Sequence, residues 1–366
     1  MAETCRAAVI ARFNEPLEIR QVQIPELEKG GMLARVEAAT LCGTDIHRWH
    51  GSLGIERSLP FIPGHETCGT VVDLNGPRTD LLGRPLKPGD RVLWAYPSCG
   101  HCYYCTVARQ HTLCAAKQSW GHQKIDDYPY LLGGLAEYQY APPASAVITV
   151  PAEVTSPLAA SAACALRTVM SGFERLGAIA SHETVVIQGA GPLGLYSTAL
   201  ARDHGAHRVL VVGAPAARLK VAEEFGADAV LDLEVVPDAK ERIAWVRDHT
   251  DGRGGDVVIQ VATGDAVGEG LLMTRPGGRY VSIGAGGNKP VPLEALGRAI
   301  SYVNIAQAEP RHWLQAVDFL ASRRSIPFER IITGSYDLDG TSEAFRLMSD
   351  FKIVKPVIYP HGELGA

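Results

Sequence analysis

Short apolar runs separated by glycine- and proline-rich segments dominate the chain from its start to about Thr155. The runs are rich in β-branched and aromatic residues, while the segments between them carry the residue types that form turns and loops. This pattern predicts a β-rich domain with long connections. The clearest predicted strands are Leu33–Ala38, Gly69–Leu74, Asp90–Trp94 and Leu135–Tyr140.

Beyond that point, short apolar strands alternate with segments of helical periodicity, which is what a parallel sheet built from βαβ units requires. Six strands suit two mononucleotide-binding halves. The predicted strands are Thr184–Gln188, Arg208–Val212, Ala229–Leu231, Asp256–Val261, Arg279–Ile283 and a weaker one near Tyr302–Ala306. A further helix is predicted over Arg311–Arg323, and the tail ending in Lys355–Tyr359 is expected to rejoin the first domain.

Composition narrows the classes of function. The chain has 366 residues, of which 46% are hydrophobic and 20% charged, with a net charge of −5 and a pI near 6.2. Such a chain can bury a large core, and without a basic run it shows no footprint for nucleic acid or an anionic membrane. We therefore expect a small soluble substrate. Without an apolar signal region or a membrane-length stretch, we also expect a cytoplasmic location and reduced thiols.

A glycine turn stands between a predicted apolar strand and a helix-compatible segment. Val185–Gln188 is followed by Gly189-Ala-Gly191-Pro192-Leu193-Gly194, a Gly-x-Gly-x-x-Gly pattern. The glycines permit a tight turn and close backbone approach, and the helix N-terminus presents free N–H groups to a pyrophosphate. A turn without a ligand is the alternative, but the further βα units favour a dinucleotide.

The next strand ends in Gly213, where proteins that bind NAD usually carry an acidic residue that bonds the adenosine ribose. The missing carboxylate removes an NAD-specific contact and also the repulsion of a 2′-phosphate. Arg218, a short way on, is a candidate to balance that phosphate. The sequence thus favours NADP over NAD, although a solvated helix residue or stacking near the adenosine would equally account for Arg218.

Four cysteines lie within sixteen residues and predict a zinc site. They are Cys99, Cys102, Cys105 and Cys114. Zinc readily takes four tetrahedral thiolates, and this spacing lets a loop wrap one ion. An iron–sulfur cluster is less compatible, since the ferredoxin pattern continues with a close fourth cysteine followed by proline, whereas Ala115 follows Cys114. Four unrelated buried cysteines are the remaining alternative.

A second group of possible ligands lies outside that loop, in Cys42-Gly-Thr44-Asp45-Ile-His47 and Gly64-His65-Glu66. With these segments the chain resembles the zinc-dependent medium-chain alcohol dehydrogenases. The matching segments keep the family's order over nearly the whole chain, and they continue with the cysteine loop, with Gly133–Tyr138 (Gly-Gly-Leu-Ala-Glu-Tyr) and with the glycine turn.

The resemblance implies an α/β protein made of a GroES-like catalytic domain and a Rossmann dinucleotide-binding domain. The catalytic domain would comprise residues 1–160, with its zinc-binding loop at about 95–116, and the Rossmann domain residues 161–306. Residues 307–366 would return to the catalytic domain.

The family pattern further implies that Cys42, His65 and Cys164 bind a catalytic zinc with a fourth position left for water or substrate. Cys164 would lie on a helix that starts at Ser156-Pro157, with Ser156 as its N-cap. Thr168, one turn after Cys164, would then meet the nicotinamide.

Four further side chains are implied in the chemistry of that site. Glu66 would lie beside the metal with occasional ligation, and Asp45 would accept the other ring N–H of His65. Zinc would lower the pKa of the alcohol as hydride passes to the nicotinamide, while Thr44 and His47 would carry the proton out. A surface histidine without a role is the alternative for His47.

The cysteine loop departs from the family pattern, because eight residues separate Cys105 from Cys114 where the family usually has seven. His111 is therefore a possible substitute, although thiolate suits a closed site better. A zinc held there would stabilise the fold, which brings the expected content to two zinc ions per chain. Cys5 and Cys68 are interpreted as structural thiols.

Three tryptophans, Trp49, Trp94 and Trp120, lie in segments that border the substrate in the resembled family. They favour a bulky or cyclic alcohol, unless they belong to the core. Run in reverse, the same reaction would be that of a carbonyl reductase. Other readings are an enzyme of the same fold with different chemistry, such as a dismutase that retains its cofactor or an enoyl reductase, or a non-catalytic sensor of zinc and nucleotide. The family also implies a homodimer or homotetramer, formed through the apolar segments Tyr280–Ile283 and Tyr302–Ile305.

Overall fold

The computed structural model describes residues 3–54, 56–262, 264, 266–284, 290–305 and 307–362. Within it the chain divides into two compact units. The first unit contains the residues up to Cys164, Glu309–Arg323, and those from Ile331 onward; the second contains Ala165–Ala308 and Arg324–Arg330. None of the described helices is both long and apolar enough to cross a membrane.

Strands and helices are numbered here in chain order. The strands are β1 Thr4–Val9, β2 Glu18–Gln23, β3 Met32–Thr40, β4 Glu66–Leu74, β5 Arg91–Trp94, β6 Tyr138–Ala141, β7 Val147–Thr149, β8 Thr184–Gln188, β9 Arg208–Gly213, β10 Ala229–Asp232, β11 Gly255–Gln260, β12 Thr274–Ser282, β13 Ser301–Asn304, β14 Ser335–Asp337 and β15 Val357–Tyr359. The helices are α1 Gly43–Trp49, α2 Tyr103–Thr106, α3 Ser156–Ser161, α4 Arg167–Leu176, α5 Pro192–Asp203, α6 Ala216–Glu224, α7 Ala239–Asp248, α8 Ala266–Met273, α9 Leu293–Leu296, α10 Pro310–Ser322 and α11 Thr341–Ser349. One π-helical turn, Ala162–Leu166, joins α3 to α4, and short 3₁₀ turns cover Glu56–Ser58, His111–Leu113 and Phe328–Ile331.

The first unit is built around β3, the longest strand of its sheet together with β4. β3 pairs antiparallel with β4 along one edge, and with β6 and then β15 along the other. The sheet has the order β14-β15-β3-β4-β5-β7, with β6 added beside β3. A hydrophobic core lies against it. Cys5 and Cys68 are buried, and burial raises the pKa of each thiol to about 12, as expected of structural thiols.

The second unit is a parallel sheet with the strand order β10-β9-β8-β11-β12-β13. Its central strand, β8, is buried along its whole length, as expected when helices cover both faces. This order places a topological switch point between β8 and β11, where open α/β sheets bind ligands at the carboxyl ends of the strands. The predicted fold class, a Rossmann domain with a β-rich GroES-like domain, is confirmed.

The predicted elements differ from the observed ones in several details. β6 begins at Tyr138, because the backbone N–H groups of Leu135 and Glu137 bond Pro63 and Arg6 outside the regular ladder. The N-cap of α3 is Thr155, since the Ser156 hydroxyl instead donates to Glu37. Ala306, the predicted end of the last strand, lies outside the described residues.

The C-terminal region also divides differently from the predicted boundaries. Arg324–Arg330 belong to the second unit, whereas the remainder of the tail belongs to the first. Phe328 accounts for this difference, because its ring packs against the rings of Tyr196 and Phe225, at centroid distances of 6.1 and 5.9 Å. In addition, Arg330 forms an ion pair with Glu224 at 3.1 Å.

The amino ends of the central strands are tied together by Asp256 of β11. Its Oδ2 accepts the backbone N–H of Thr184 in β8 at 2.8 Å, and its Oδ1 accepts Nε of Arg275 in β12 at 2.6 Å. Burial alone would raise the pKa of Asp256, but these donors outweigh it and hold the pKa below its ordinary value. The carboxylate therefore stabilises the folded state wherever it is ionised.

We expect Asp256→Asn to lower the free energy of unfolding by about 1–3 kcal/mol at pH 7, because a charge-assisted bond is lost inside the sheet. Because the folded-state pKa is depressed, the wild type has this advantage above the unfolded pKa. It loses the advantage as the pH falls below about 4. Urea denaturation at several pH values measures the difference. Asp248→Asn, at the exposed end of α7, is the control; equal stabilities at pH 7 would contradict the prediction.

Candidate functional site

Four side chains from separate parts of the first unit converge on one point. Ligand atoms of Cys42, His65, Glu66 and Cys164 all lie within 4.8 Å of one another. Cys42 is the N-cap of α1, His65 immediately precedes β4, and Glu66 is the first residue of β4. Cys164 lies in the π-helical turn between α3 and α4, an irregularity that is frequent at functional sites.

Asp45 fixes the positions of two of these residues. It is the third residue of α1 and fully buried, and its Oδ2 accepts the backbone N–H of Cys42 at 3.0 Å. Its Oδ1 lies 3.1 Å from Nδ1 of His65 and accepts the N–H of Gly64 at 3.2 Å. This arrangement makes Nδ1 of His65 the donor and leaves Nε2 as the nitrogen available to a metal.

Electrostatics at Asp45 favour its ionised form. Burial would raise the pKa of this carboxyl, but the neighbouring His65 and Arg48 lower it below its ordinary value. Burial likewise disfavours a charged His65, yet the carboxylate of Asp45 raises the pKa of the imidazole well above 6.5. The buried pair is therefore stabilised by mutual attraction as well as by its hydrogen bonds.

The Gly133–Gly134 pair explains how the segment that carries His65 into β4 is held in this position. A Cβ at Gly133 would lie 2.0 Å from the carbonyl oxygen of Ile62, and one at Gly134 would lie 2.1 Å from Oγ1 of Thr67. The backbone N–H of Gly134 also donates to the carbonyl of Gly64 at 3.0 Å. Glycine is thus required where the two backbones approach, on either side of His65.

The donor set fits zinc. Two thiolates, an imidazole and a carboxylate are ligands that zinc accepts, and ligand bonds of about 2.0–2.3 Å place tetrahedral ligand atoms about 3.3–3.8 Å apart. The observed convergence within 4.8 Å is compatible with that geometry. A hydrogen bond from Cys164 and the proximity of His65 hold the pKa of Cys42 well below that of a free thiol, despite burial. A thiolate, the form that binds metal, is therefore favoured there.

Sequence reasoning missed Lys355, which lies behind Glu66. Both side chains are almost completely buried, and Nζ of Lys355 donates to Oε2 of Glu66 and to the carbonyl oxygen of Leu41. The hydroxyl of Thr40 donates to the same Oε2 at 2.5 Å. The other carboxylate oxygen, Oε1, is buried without a hydrogen-bond partner in the described part of the chain.

Burial raises the pKa of Glu66 to about 7, while the charge of Lys355 opposes that rise. The pKa of Lys355 is raised in turn, because attraction to Glu66 outweighs the effect of burial. A lysine just before the apolar strand β15 was the available sequence signal. Its partner lies 289 positions away, so the signal could not be interpreted without the fold.

The other two residues predicted to act at this site lie on α1. Thr44 is half-buried, with its Oγ1 3.8 Å from Sγ of Cys42. His47 is exposed, and its Nδ1 lies 3.4 Å from the hydroxyl of Ser52. One hydroxyl therefore borders the cluster of ligand atoms, and one imidazole on the same helix faces solvent.

The cysteine loop forms a second cluster, in which ligand atoms of Cys99, Cys102, Cys105 and Cys114 lie within 4.8 Å of one another. Sγ of Cys105 lies 3.9 Å from Sγ of Cys99 and 3.6 Å from Sγ of Cys102. Two thiolates on one tetrahedral zinc are about 3.8 Å apart. The cluster contains Cys114 and not His111, whose Nδ1 lies 2.9 Å from the Ser98 hydroxyl. Four sulfurs fit a closed zinc site.

The aromatic residues near these clusters form a contact series centred on Tyr96. Its ring lies 5.8 Å from that of Trp120 and 6.2 Å from that of Trp313, both in edge arrangements. Trp49 points elsewhere, since its Nε1 donates to the carbonyl of Glu15 and its ring packs near Phe345. Trp94 is buried in the core of the first unit. Of the three predicted tryptophans, Trp120 is the one that contacts Tyr96.

The glycine turn lies at the carboxyl end of β8. Gly189 has a φ of +119°, Gly191 is the N-cap of α5, and Pro192 is its first residue, followed by Leu193. A Cβ at Gly194 would lie 1.9 Å from the carbonyl oxygen of Gly189. The turn therefore needs glycine at both positions, and it leaves the first N–H groups of α5 free to bind an anion.

The end of β9 lies against this turn. Gly213 is the last residue of β9, and a Cβ there would lie 2.7 Å from Cβ of Ala190 in the turn. Arg218 in α6 is half-buried, and within the described part of the chain its side chain has no acidic partner. Burial lowers its pKa, so it would gain from a bound anion. Thr168 is the second residue of α4 and half-buried.

A cavity of about 700 Å³ opens beside the ends of β8 and β9 in the second unit. Its lining includes Gln188, Val212, Lys240, Arg242 and Glu269. Arg242 and Glu269 form a two-bond ion pair at 2.6 and 2.8 Å. The volume lies in the range of small-molecule sites. Its lining lies on the β8–β9 side of the sheet and includes no residue of the glycine turn.

We expect Lys355→Met to lower the free energy of unfolding by about 3–5 kcal/mol, because it leaves the Glu66 carboxylate buried without its counter-charge. Lys355→Met with Glu66→Gln should recover part of that loss. Urea denaturation of the purified variants measures both effects. Lys352→Met is the matched control, since Lys352 is exposed and its ion pair lies at the surface. Wild-type stability of Lys355→Met would contradict the prediction.

Two family models match the chain. Residues 28–152 match the family model of the alcohol dehydrogenase GroES-like domain, and residues 192–322 match that of zinc-binding dehydrogenases. The chain is 32% identical to a 5-exo-hydroxycamphor dehydrogenase of Pseudomonas putida, over 96% of this chain and 98% of that protein.

Solved structures agree. An alcohol dehydrogenase from Thermotoga maritima superposes with a TM-score of 0.91 at 32% identity, covering 98% of this chain and all of that one. A zinc-binding dehydrogenase from Sinorhizobium meliloti, solved with NADP, gives 0.82 at 27% identity over 98% of this chain and 100% of its own. The chain therefore belongs to the zinc-dependent medium-chain dehydrogenases, NAD(P)-dependent oxidoreductases that act on CH–OH groups.

Proposed function

We propose that this protein is a zinc-dependent alcohol dehydrogenase, or carbonyl reductase in the reverse direction, for a bulky cyclic secondary alcohol. The observation that carries the proposal is the convergence of Cys42, His65 and Cys164, with Asp45 orienting the imidazole. Two thiols and one imidazole leave a tetrahedral ion one position for a reactant. Glu66 is the fourth donor of the cluster, but its carboxylate also accepts a hydrogen bond from Lys355, so its position beside the ion is the one that a reactant would take.

Cys42, His65 and Cys164 would hold the catalytic zinc, and Glu66 would lie beside it. When bound, zinc supplies Lewis-acid polarisation of the hydroxyl oxygen, which lowers the pKa of the alcohol and assists loss of hydride to the nicotinamide. Asp45 keeps His65 in the tautomer that presents Nε2. Lys355 holds Glu66 through Oε2, so that this carboxylate has a fixed orientation beside the ligands.

The hydroxyl of Thr44 would relay the proton that the alcohol releases, accepting it while donating its own proton onward, because it borders the ligand cluster. His47 would exchange that proton with water, since it lies on the same helix with its ring exposed to solvent. In the reverse direction, the same two residues would deliver a proton to the product of carbonyl reduction. Thr168, in the first turn of α4, is proposed to contact the nicotinamide.

NADP is the proposed cofactor. Gly189, Gly191, Pro192, Leu193 and Gly194 would cradle the pyrophosphate at the start of α5. Gly213 offers no carboxylate to a ribose hydroxyl, and Arg218 is a half-buried cation without an acidic partner in the described residues. Both features favour a 2′-phosphate. The related Sinorhizobium meliloti protein bound to NADP supports the same choice.

A second zinc is proposed in the cysteine loop, which makes two per chain. Cys99, Cys102, Cys105 and Cys114 would close the coordination of that ion, so it would stabilise the loop and take no part in the chemical step. The two sites differ in their donor sets: the loop offers four sulfurs, whereas the reactive site offers two sulfurs, one nitrogen and the adjacent Glu66 carboxylate.

Aromatic residues support a bulky apolar substrate. Tyr96, Trp120 and Trp313 form a contiguous aromatic cluster in the unit that holds the metal ligands, with both tryptophans buried and Tyr96 as the partly exposed ring. Such rings bury large hydrophobic areas against a ligand. The relative from Pseudomonas putida is named for a hydroxylated camphor, a rigid bicyclic secondary alcohol. We therefore propose cyclic and terpenoid alcohols as the substrate class.

The test is a screen of secondary, aromatic and terpenoid alcohols with NAD and with NADP, following the absorbance of the reduced nicotinamide. We expect highest turnover with a cyclic secondary alcohol and NADP. Cys164→Ala should remove one zinc per chain and lower kcat/KM more than about 100-fold, beyond the loss typical of an outer-shell residue. Cys68→Ala, a buried thiol outside both clusters, is the control. Equal or better turnover with NAD would contradict the cofactor assignment. Unchanged activity of Cys164→Ala would contradict the assignment of the catalytic zinc site.

We also propose a homodimer or homotetramer, formed in part through β13. This strand lies at the edge of its sheet, with Tyr302 51% exposed, and the nearby helix α9 exposes Leu293 and Leu296 by 83% and 71%. Unpaired edges and apolar side chains of this kind favour association. Size-exclusion chromatography with light scattering should give at least twice the 39.2 kDa chain mass. A monomer at working concentration would contradict this proposal.

A further inference from the structure

We infer that Glu309 is a positioning residue that couples the cysteine loop to the aromatic cluster of Tyr96, Trp120 and Trp313. Through it, the metal-bound state of the loop would set how well a bulky alcohol binds. This inference rests on the proposed function and deepens it. It gives the loop a part in substrate recognition in addition to its stabilising role.

The carboxylate of Glu309 joins two separate stretches of backbone in the first unit. It accepts the N–H of His111 at 2.7 Å, the N–H of Thr112 at 3.4 Å and the hydroxyl of Thr112 at 2.6 Å. Glu309 is also the N-cap of α10 and forms a capping box with His312. Glu309 is only 6% exposed, so its carboxylate depends on these hydrogen bonds rather than on water.

The loop turn that Glu309 binds needs an acceptor. His111–Leu113 form a 3₁₀ turn that leads directly into Cys114, within the stretch that is one residue longer than the family usually has. The first N–H groups of such a turn have no partner inside it. A buried carboxylate supplies that partner, and its charge is further stabilised by the N-terminus of α10. Glu309 therefore holds the backbone that positions the fourth sulfur.

The same helix carries Trp313 one turn after Glu309. Its indole is 3% exposed and meets the ring of Tyr96 edge-on, at an interplanar angle of 84°. Because residues four apart lie on one face of a helix, a movement of the Glu309 end is transmitted to Trp313. The rigid unit between the two contacts is a single helical turn.

Tyr96 connects the cysteine loop to the two tryptophans. It precedes Cys99 by three residues, and its ring also contacts Trp120, which follows Cys114. The N–H of Gln118 bonds the carbonyl of Pro97 at 3.1 Å, so the entry and exit of the loop are joined beside Tyr96. The loop, the first turn of α10 and the three aromatic rings thus form a closed series of contacts.

The experiment compares Glu309→Ala and Glu309→Gln with wild type. In Glu309→Ala we expect the loop zinc to be released to a chelating dye about 10-fold faster, the lower limit for loss of an outer-shell partner. Amide hydrogen exchange should increase both in the loop and in the segment around Tyr96. KM for a bulky cyclic alcohol should rise about 10-fold, while kcat and the KM of a small alcohol change less than about 3-fold. Glu309→Gln, which keeps an acceptor oxygen, should give intermediate values.

The matched control is Asp318→Ala, which removes an acidic side chain from the exposed face of the same helix. It should behave as wild type in every measurement. Faster zinc release in Glu309→Ala without altered exchange near Tyr96 would overturn the inference, as would equal KM changes for small and bulky alcohols. If wild type oxidises no alcohol, the proposed function fails, and metal release with hydrogen exchange still decides the coupling. If Glu309→Ala does not fold, Glu309→Gln decides by the same criteria.

Discussion

The buried carboxylate of Asp45 is the interaction on which the candidate active site depends. One of its oxygens holds the backbone of Cys42 and the other orients the ring of His65, so a single side chain brings two ligands from different segments into register. It also caps the helix that carries Thr44 and His47. Because the carboxylate is fully buried, its charge must be matched by those partners. The α1 helix and the start of β4 are consequently fixed relative to each other, before any metal binds.

Local sequence patterns predicted the parts of the structure that interactions between neighbouring residues determine. The glycine turn was recognisable because a tight turn between a strand and a helix requires glycine at Gly189 and Gly194, while close approach of a pyrophosphate favours it at Gly191. The loop cysteines were recognisable because their ligands are close in sequence. For Cys42, His65 and Cys164 the family resemblance was needed, since 122 positions separate the first ligand from the last. The structure brings these three together as expected.

Contacts between distant segments were not predictable in this way. Lys355 neutralises the carboxylate of Glu66, and Glu309 accepts the backbone N–H of His111, each across more than 190 positions. Neither residue belongs to a sequence motif. The π-helical turn at Cys164 was not predicted either, because one extra residue within a helix leaves the apolar pattern of the sequence almost unchanged. The start of β6 was placed too early for a related reason: Leu135 and Glu137 bond backbone from other parts of the first unit. Tertiary contacts decided each of these positions.

The close approach of Gly213 to Ala190 links coenzyme choice to the shape of the glycine turn. Any side chain at the end of β9 would collide with the backbone and methyl group of the turn unless the turn itself moved. An acidic residue at the end of β9 would therefore require the turn at Ala190 to shift, so the backbone of the turn and the residue type at position 213 depend on each other.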